Sequence, residues 1–113
     1  MAALLVVVGT ISNAADLSGR WTLNLEPDFS GYPDSLDCTV KQTGVKLAAD
    51  CGGETLLSGE VNGQDVTLQF KTGADGRVTA RLTGVLNRAE TKITGKWHLD
   101  PDKRDGNFEL TRR

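Results

Sequence analysis

Few residues in this chain could support catalysis or bind a metal. It has one histidine, His98, and two cysteines, Cys38 and Cys51. A Ser-His-Asp or Cys-His set needs a histidine beside the nucleophile, but the alternation of apolar residues around His98 turns its side chain away from the buried face. The carboxylates of Glu60 and Asp65 fall at outward or turn positions and form no catalytic pair. We therefore predict a protein that is not an enzyme and has no catalytic residues, no metal site and no cofactor.

The two cysteines instead suggest a disulfide. A turn at residues 43–46 would place residue 42 opposite residue 47, and the same register sets Cys38 opposite Cys51. The chain has no Cys-x-x-Cys motif and no histidine near either cysteine, which argues against a redox pair or a metal site. We predict one intramolecular disulfide that joins two neighbouring strands.

A five-residue pattern of aliphatic, Ser/Thr, Gly, any and apolar residues recurs along the chain. It occurs at Leu17–Trp21, Leu57–Val61, Leu82–Leu86 and Ile93–Trp97. The apolar positions alternate, which is the period of a β-strand. The glycine then lies on the inward face, where it allows a strand to bend sharply as a small barrel closes. The pattern favours a closed, strongly coiled sheet.

Extending the alternation predicts eight strands. Their bounds are residues 17–26, 35–42, 46–51, 55–62, 65–71, 76–87, 90–99 and 106–112. The short connections leave no room for a crossover helix, so consecutive strands should pair as antiparallel neighbours. The predicted fold is an all-β, eight-stranded antiparallel up-and-down (meander) β-barrel, because closure removes exposed strand edges. A two-sheet sandwich is the alternative.

The same alternation predicts which side chains face inward. They are Trp21, Leu23, Leu25, Leu36, Cys38, Val40, Leu47, Ala49, Cys51, Leu57, Val61, Val66, Leu68, Phe70, Val78, Ala80, Leu82, Leu86, Ile93, Trp97, Leu99, Phe108 and Leu110. This set is almost entirely apolar, which predicts an apolar barrel interior.

The amino terminus resembles a secretory signal. Residues 1–8, MAALLVVV, form an apolar run too short to span a bilayer. Ser12 and Ala14 fit the small-residue rule for cleavage after Ala14, although no Lys or Arg precedes the run, which suggests a truncated signal. We predict a signal peptide over residues 1–14 and one barrel domain over residues 15–113, secreted or periplasmic. Cleavage after Ala15, or a buried amino-terminal strand, is the alternative.

Length and charge narrow the classes of partner. The chain of 113 residues suits one domain, and its formal net charge is −2. Proteins that bind nucleic acid or an anionic membrane surface usually carry a basic excess. We therefore expect no nucleic-acid partner. Because the apolar run at residues 1–8 is too short, we also expect no membrane span, and the oligomeric state is left open.

Gly19 and Trp21 on the first strand form a Gly-x-Trp motif. It resembles the first-strand motif of the calycin superfamily, which includes lipocalins, avidins and bacterial metalloprotease inhibitors. In those families an Arg near the end of the last strand packs across this Trp and closes one end of the barrel. Arg112 matches that position on the inward face, whereas Arg113 points outward. The resemblance covers residues 17–113. It implies that Gly19, Trp21 and Arg112 close one end of the barrel, and it says little about a ligand.

The first long connection suggests where a ligand would enter. Residues 26–34 hold Phe29 and Tyr32 between two prolines, and in lipocalin-like barrels this loop folds over the open end. We predict that Phe29 and Tyr32 form the mouth, and Phe70 and Trp97 the interior, of a site for a small apolar ligand. The alternatives are a protein-interaction module, such as a protease inhibitor, and a structural barrel with a filled core. An avidin-like biotin site is disfavoured because the chain has only two Trp residues.

The sixth and seventh strands carry outward cations. These are Arg77, Arg81, Lys92, Lys96 and His98. A turn at residues 87–90 would place Arg81 opposite Lys96. Such a basic stripe could contact an acidic partner, or it could be neutralised locally by Asp100 and Glu109.

Overall fold

The protein is an eight-stranded all-β barrel, as the sequence predicts. The computed structural model describes residues 16–26, 35–52, 55–72, 76–100 and 103–113. The strands are β1 (Gly19–Glu26), β2 (Ser35–Thr43), β3 (Lys46–Asp50), β4 (Leu56–Asn62), β5 (Asp65–Thr72), β6 (Val78–Leu86), β7 (Lys92–Asp100) and β8 (Arg104–Arg112). Each begins and ends within two residues of its predicted bounds. The predicted signal peptide, residues 1–14, lies outside the described residues.

Every strand pairs with its neighbours in the chain, and the sheet closes on itself. Consecutive strands are antiparallel, and β8 returns to pair with β1, with Trp21 opposite Arg112 and Leu25 opposite Phe108. This is the predicted meander barrel, and closure excludes the two-sheet sandwich. A closed sheet leaves no unpaired strand edge along the barrel.

The alternation of apolar residues produces a single core. Of the side chains predicted to face inward, Leu36 and Val78 are partly buried and the rest are buried. Leu17, which precedes β1, is also buried at 1% exposure. A buried apolar side chain of this size stabilises the fold by about 1.5–3 kcal/mol, so the interior is the main source of stability.

Two glycines show how tightly the sheet is coiled. A Cβ atom on Gly59 would lie 1.8 Å from the main-chain oxygen of Thr67, and one on Gly95 would lie 2.0 Å from that of Thr83. Neighbouring strands therefore approach too closely at these points for any side chain. Glycine is therefore required at these two inward positions of the barrel.

The two ends of the barrel differ in their connections. At one end, named here the closed end, the connections are residues 44–45, 63–64 and 87–91. The start of β1 and the end of β8 lie at the same end. At the opposite end, named the far end, β1, β3, β5 and β7 end and β2, β4, β6 and β8 begin.

Candidate functional site

The closed end is built around Trp21 and Arg112. Trp21 is 1% exposed, and the guanidinium carbon of Arg112 lies 4.5 Å from the centroid of its ring. The two residues are cross-strand partners on β1 and β8. A guanidinium at this distance interacts favourably with the face of an indole. The structure thus brings together the pair that the resemblance implied.

The guanidinium also donates hydrogen bonds to three main-chain carbonyls. Its Nε donates to Glu90 at 3.0 Å, its Nη1 to Ser18 at 3.2 Å and its Nη2 to Asp16 at 3.0 Å. These carbonyls come from the segment before β1 and from the loop after β6. Arg112 therefore joins the first strand, the last strand and the 87–91 loop with one planar group.

Gly19 fits its place beside this group. Its φ angle is +131°, and a Cβ atom there would lie 3.6 Å from Nη1 of Arg112. Because other residues rarely adopt this backbone conformation, a glycine is required where the chain enters β1. All three residues assigned to closure from the sequence lie together at the closed end.

The segment Asp16–Ser18 lies across the closed end and is fixed by hydrogen bonds. The Leu17 main-chain nitrogen donates to Oε1 of Gln42 at 2.8 Å, and the Leu17 carbonyl accepts from Nε1 of Trp21 at 2.9 Å. The Ser18 hydroxyl accepts from the Gln42 main-chain nitrogen at 3.1 Å. Leu17 was not predicted as a core residue. It is the aliphatic first position of the pattern Leu17–Trp21, two residues before Gly19, and that position could have indicated its burial.

Asp16 caps this segment. Its Oδ1 accepts from the Ser18 main-chain nitrogen at 3.0 Å. This hydrogen bond, assisted by the Ser18 hydroxyl and by the charge of Arg112, lowers the pKa of the Asp16 carboxyl. The carboxylate form is therefore favoured where the chain enters the barrel.

Arg113 differs from its neighbour, as the alternation predicts. Its Nη1 lies 3.1 Å from Oδ2 of Asp37 on the outer surface, and both side chains are largely exposed. Of the two consecutive arginines, Arg112 therefore contacts the core and Arg113 contacts the outer surface.

The predicted disulfide is present. Cys38 and Cys51 are bonded, and both are buried. Gln42 lies opposite Leu47 and Thr39 opposite Asp50, which is the register inferred from the two-residue turn. The bond fastens β2 to β3 on the barrel wall.

The four residues predicted to bind an apolar ligand fall into two groups. Phe29 and Tyr32 lie outside the described residues. Phe70 and Trp97 are 4% and 1% exposed and belong to the core. The Trp97 ring lies against Gly106, its cross-strand partner, so that a Cβ atom there would lie 2.4 Å from three ring atoms.

The outer wall formed by the described residues includes two shallow grooves. The larger, named here the Arg81 groove, has a volume of about 580 Å³ and crosses β3 to β6. Its exposed side chains are Lys46, Ser58, Thr67, Gln69, Arg81 and Thr83, with Glu60 partly buried among them. The smaller groove, of about 450 Å³, crosses β7, β8 and β1 and contains Glu26 and Glu109. Sequence reasoning missed both grooves.

The predicted pairing of β6 with β7 is wrong by two residues. Arg81 lies opposite His98, and Lys96 lies opposite Thr83, so the expected Arg81–Lys96 contact does not form. The reason is the loop at residues 87–91, in which the Asn87 side chain accepts from the main-chain nitrogens of Thr91 and Lys92. The observed register pairs Leu86 with Ile93, so six residues separate the paired positions, two more than the four-residue turn assumed from the sequence.

Most cations of the predicted stripe have partners on β8. Lys92 lies 3.6 Å from the Glu109 carboxylate, and Lys96 donates to the Asn107 side chain at 3.1 Å. His98 Nδ1 lies 2.5 Å from the Asp105 carboxylate. Within the described residues Arg81 forms no hydrogen bond or ion pair, so it differs from the cations on the next strand.

Comparison with known proteins adds no relative. No protein-family model matches the chain, and no curated protein or solved structure matches it either. Across the described residues there is no helix long and apolar enough to cross a membrane. In the same part of the chain, no group of three or more His, Cys, Asp or Glu side chains could hold a metal ion. The class defined here is a closed eight-stranded meander barrel with an arginine-capped end.

Proposed function

We propose that this chain is an exported, non-enzymatic barrel of the calycin type that binds a protein partner through its outer wall, while its interior serves as a packed scaffold. The observation that carries the proposal is the fit of aromatic rings onto inward glycines. Trp97 lies against Gly106, and the ring tip of Phe108 lies 2.9 Å from the position of a Cβ atom on Gly84. Rings seated this closely on main chain fill space that an apolar ligand would need.

The calycin assignment rests on the closed end. A closed meander barrel, the Gly19-Arg20-Trp21 motif and the stacked Arg112 occur together in this chain. Each feature alone is weak, but the arginine is inward, terminal and opposite the tryptophan, as in that superfamily. The fold does not assign a ligand.

Export is supported by the disulfide. Disulfides form and persist in oxidising compartments and are rare where thiols are kept reduced. Cys38 and Cys51 account for both cysteines of the chain. Together with the signal-like amino terminus, this bond favours a secreted or periplasmic protein.

Among calycin-like inhibitors, an extended amino-terminal segment enters the protease cleft. In this chain the segment Asp16–Ser18 is held against the barrel by hydrogen bonds, and the side chain of its central residue, Leu17, is buried. A segment fixed in this way does not extend from the barrel. Residues 16–18 are therefore held against the barrel, and we place the proposed contact on the outer wall.

A small apolar ligand at the far end is the second candidate. The inward residues nearest that end are apolar, among them Leu25, Phe70 and Leu99, and Leu36 and Val78 there are only partly buried. An apolar rim of this kind suits a lipocalin-like mouth.

A probe titration separates the two candidates. We would titrate the purified chain with the uncharged apolar dye Nile red and, separately, with benzene. The proposal predicts no saturable binding of either probe to the wild-type protein. Saturable binding at one site would overturn the packed interior and favour the ligand function.

The control is Trp97→Ala, which removes a buried ring and leaves a void that benzene can occupy. Benzene binding by this variant shows that the assay detects an interior site. If the variant does not fold, Phe108→Ala is the second control.

A further inference from the structure

We propose that the Arg81 groove binds an acidic, extended peptide segment of the protein partner, with a partner carboxylate placed on the Arg81 guanidinium. This inference rests on the proposed function, because it specifies which part of the outer wall makes the contact and what chemistry the contact requires.

Of the two cations that line the groove, Lys46 is paired with Glu60, and Arg81 forms no hydrogen bond or ion pair within the described residues. It faces outward from β6, with Gln69 of β5 and His98 of β7 as its cross-strand neighbours. His98 is engaged by Asp105, and the other cations of β7 are engaged by β8. Arg81 has no such partner among the described residues. A guanidinium presents a fork of N–H donors that matches a carboxylate in two parallel hydrogen bonds.

The groove around Arg81 is lined by groups that suit a polar main chain. Ser58, Gln69 and Arg81 form one row across β4, β5 and β6, and Glu60, Thr67 and Thr83 form the next. The Ser58, Thr67 and Thr83 hydroxyls and the Gln69 amide make no hydrogen bond within the described part of the chain. Each can donate and accept, as the N–H and C=O groups of a bound peptide require.

The one carboxylate in the groove is already balanced. Glu60 lies 3.2 Å from Nζ of Lys46 on the neighbouring strand. With that pair neutral, Arg81 supplies the uncompensated charge of the groove. The groove therefore favours an anionic group over a cationic one.

The barrel also restricts how a peptide can bind. Because the sheet is closed, no strand edge along the barrel is open to accept an added strand. Recognition must use outward side chains, and the groove provides about 580 Å³ of space beside them.

Other polyanions fit less well. The exposed large apolar residues of the described chain are Val45, Leu56 and Val85, none of which is aromatic. Bases of single-stranded nucleic acids stack on aromatic side chains, and this wall offers none. The net charge of −2 also disfavours a nucleic acid.

The test uses a capped peptide of alternating Asp and Ser residues, with an Asn-for-Asp peptide as the neutral comparison. Binding to the ¹⁵N-labelled full chain is followed by amide chemical shifts. We expect the acidic peptide to shift amides of Ser58, Gln69, Arg81 and Thr83, and the neutral peptide to bind about tenfold more weakly. Shifts spread over the whole surface would overturn the proposal.

Two variants of equal charge change complete the experiment. Arg81→Gln should weaken binding about tenfold, whereas Lys41→Gln, an exposed cation on β2 outside the groove, should leave it unchanged. Equal weakening by the two variants would indicate non-specific attraction and overturn the proposal, as would stronger binding of the anionic polysaccharide heparin at the same amides. The probe titration of the interior is independent of the peptide experiment. If the interior binds no probe and the peptide does not bind, only the Arg81 groove proposal is refuted. If the interior binds a probe, the proposed function is refuted.

Discussion

The closed end and the Arg81 groove each centre on an arginine, and the two arginines are used in opposite ways. Arg112 stacks on a buried tryptophan and donates to three main-chain carbonyls. Arg81 lies on the outer wall and contacts no hydrogen-bond acceptor of the described chain. An arginine with internal partners contributes to folding, whereas an exposed arginine without partners contributes little to folding and stays available for binding.

The difference follows from what each position requires. Near the start of β1 and in the 87–91 loop, the exposed main-chain carbonyls of Asp16, Ser18 and Glu90 lie outside the strands and accept hydrogen bonds from a side chain. Arg112 supplies those donors. On the outer wall, by contrast, every strand is hydrogen-bonded on both sides. No main-chain group there requires a hydrogen-bond donor from Arg81.

The disulfide should carry the largest single contribution to stability on the wall. Cys38 and Cys51 are separated by 13 residues, and closing a loop of this size stabilises a fold by about 3 kcal/mol. The double variant Cys38→Ala, Cys51→Ala should lose about that much in chemical denaturation. Non-reducing mass spectrometry of the chain expressed in an oxidising compartment should show the loss of two hydrogens, and two alkylatable thiols would contradict the bond.

Next in size is the effect of filling Gly106. A methyl group there would collide with the Trp97 ring, and overpacking of this kind costs about 1–3 kcal/mol. We expect Gly106→Ala to fall at the upper end of that range in denaturant unfolding. In a Trp97→Leu background the same substitution should cost much less. An unchanged cost in both backgrounds would mean that the ring does not fill the interior as described.

Replacing the arginine at the closed end should cost somewhat less. Arg112→Ala removes the stacked cation and three charge-assisted hydrogen bonds, and we expect a loss of about 2 kcal/mol with a shift in Trp emission. Arg113→Ala removes only an exposed ion pair with Asp37, worth about 0–1 kcal/mol, and should leave the emission unchanged. Equal effects of the two substitutions would contradict the inward and outward assignment.

The smallest effect concerns Asp16. Because its pKa is lowered in the folded protein, it favours folding above the ordinary pKa of an aspartate, and that contribution is lost as the pH falls through the folded value. The difference in unfolding free energy between wild type and Asp16→Asn should therefore shrink as the pH is lowered from about 6 to about 3. A difference that stays constant over this range would contradict the Ser18 contact.

The sequence predicted the fold well because the signal is local. Alternation gave the strands and the inward side chains, and a two-residue turn at Gly44-Val45 gave the register that pairs Cys38 with Cys51. The β6–β7 register was wrong because it depends on the 87–91 loop, where Glu90 has a φ of 60° and Asn87 holds the loop by its side chain.

The candidate site was less predictable for a physical reason. Whether an outward cation has a partner depends on which residue faces it from the next strand, and therefore on register. A shift of two residues in the β6–β7 register separated Arg81 from Lys96 and placed it beside His98. The grooves likewise arise from the coiling of the closed sheet. The predicted mouth residues, Phe29 and Tyr32, lie outside the described residues, so that prediction stands untested.

The most direct test of the contrast between the two arginines is the unfolding free energy of Arg81→Ala, measured beside wild type and Arg112→Ala under the same conditions. The account predicts that Arg81→Ala changes it by less than about 0.5 kcal/mol, as for a surface residue without partners, while Arg112→Ala lowers it by about 2 kcal/mol. If Arg81→Ala destabilised the barrel as much as Arg112→Ala, Arg81 would be a structural residue, and the separation of folding from binding proposed for this protein would be wrong.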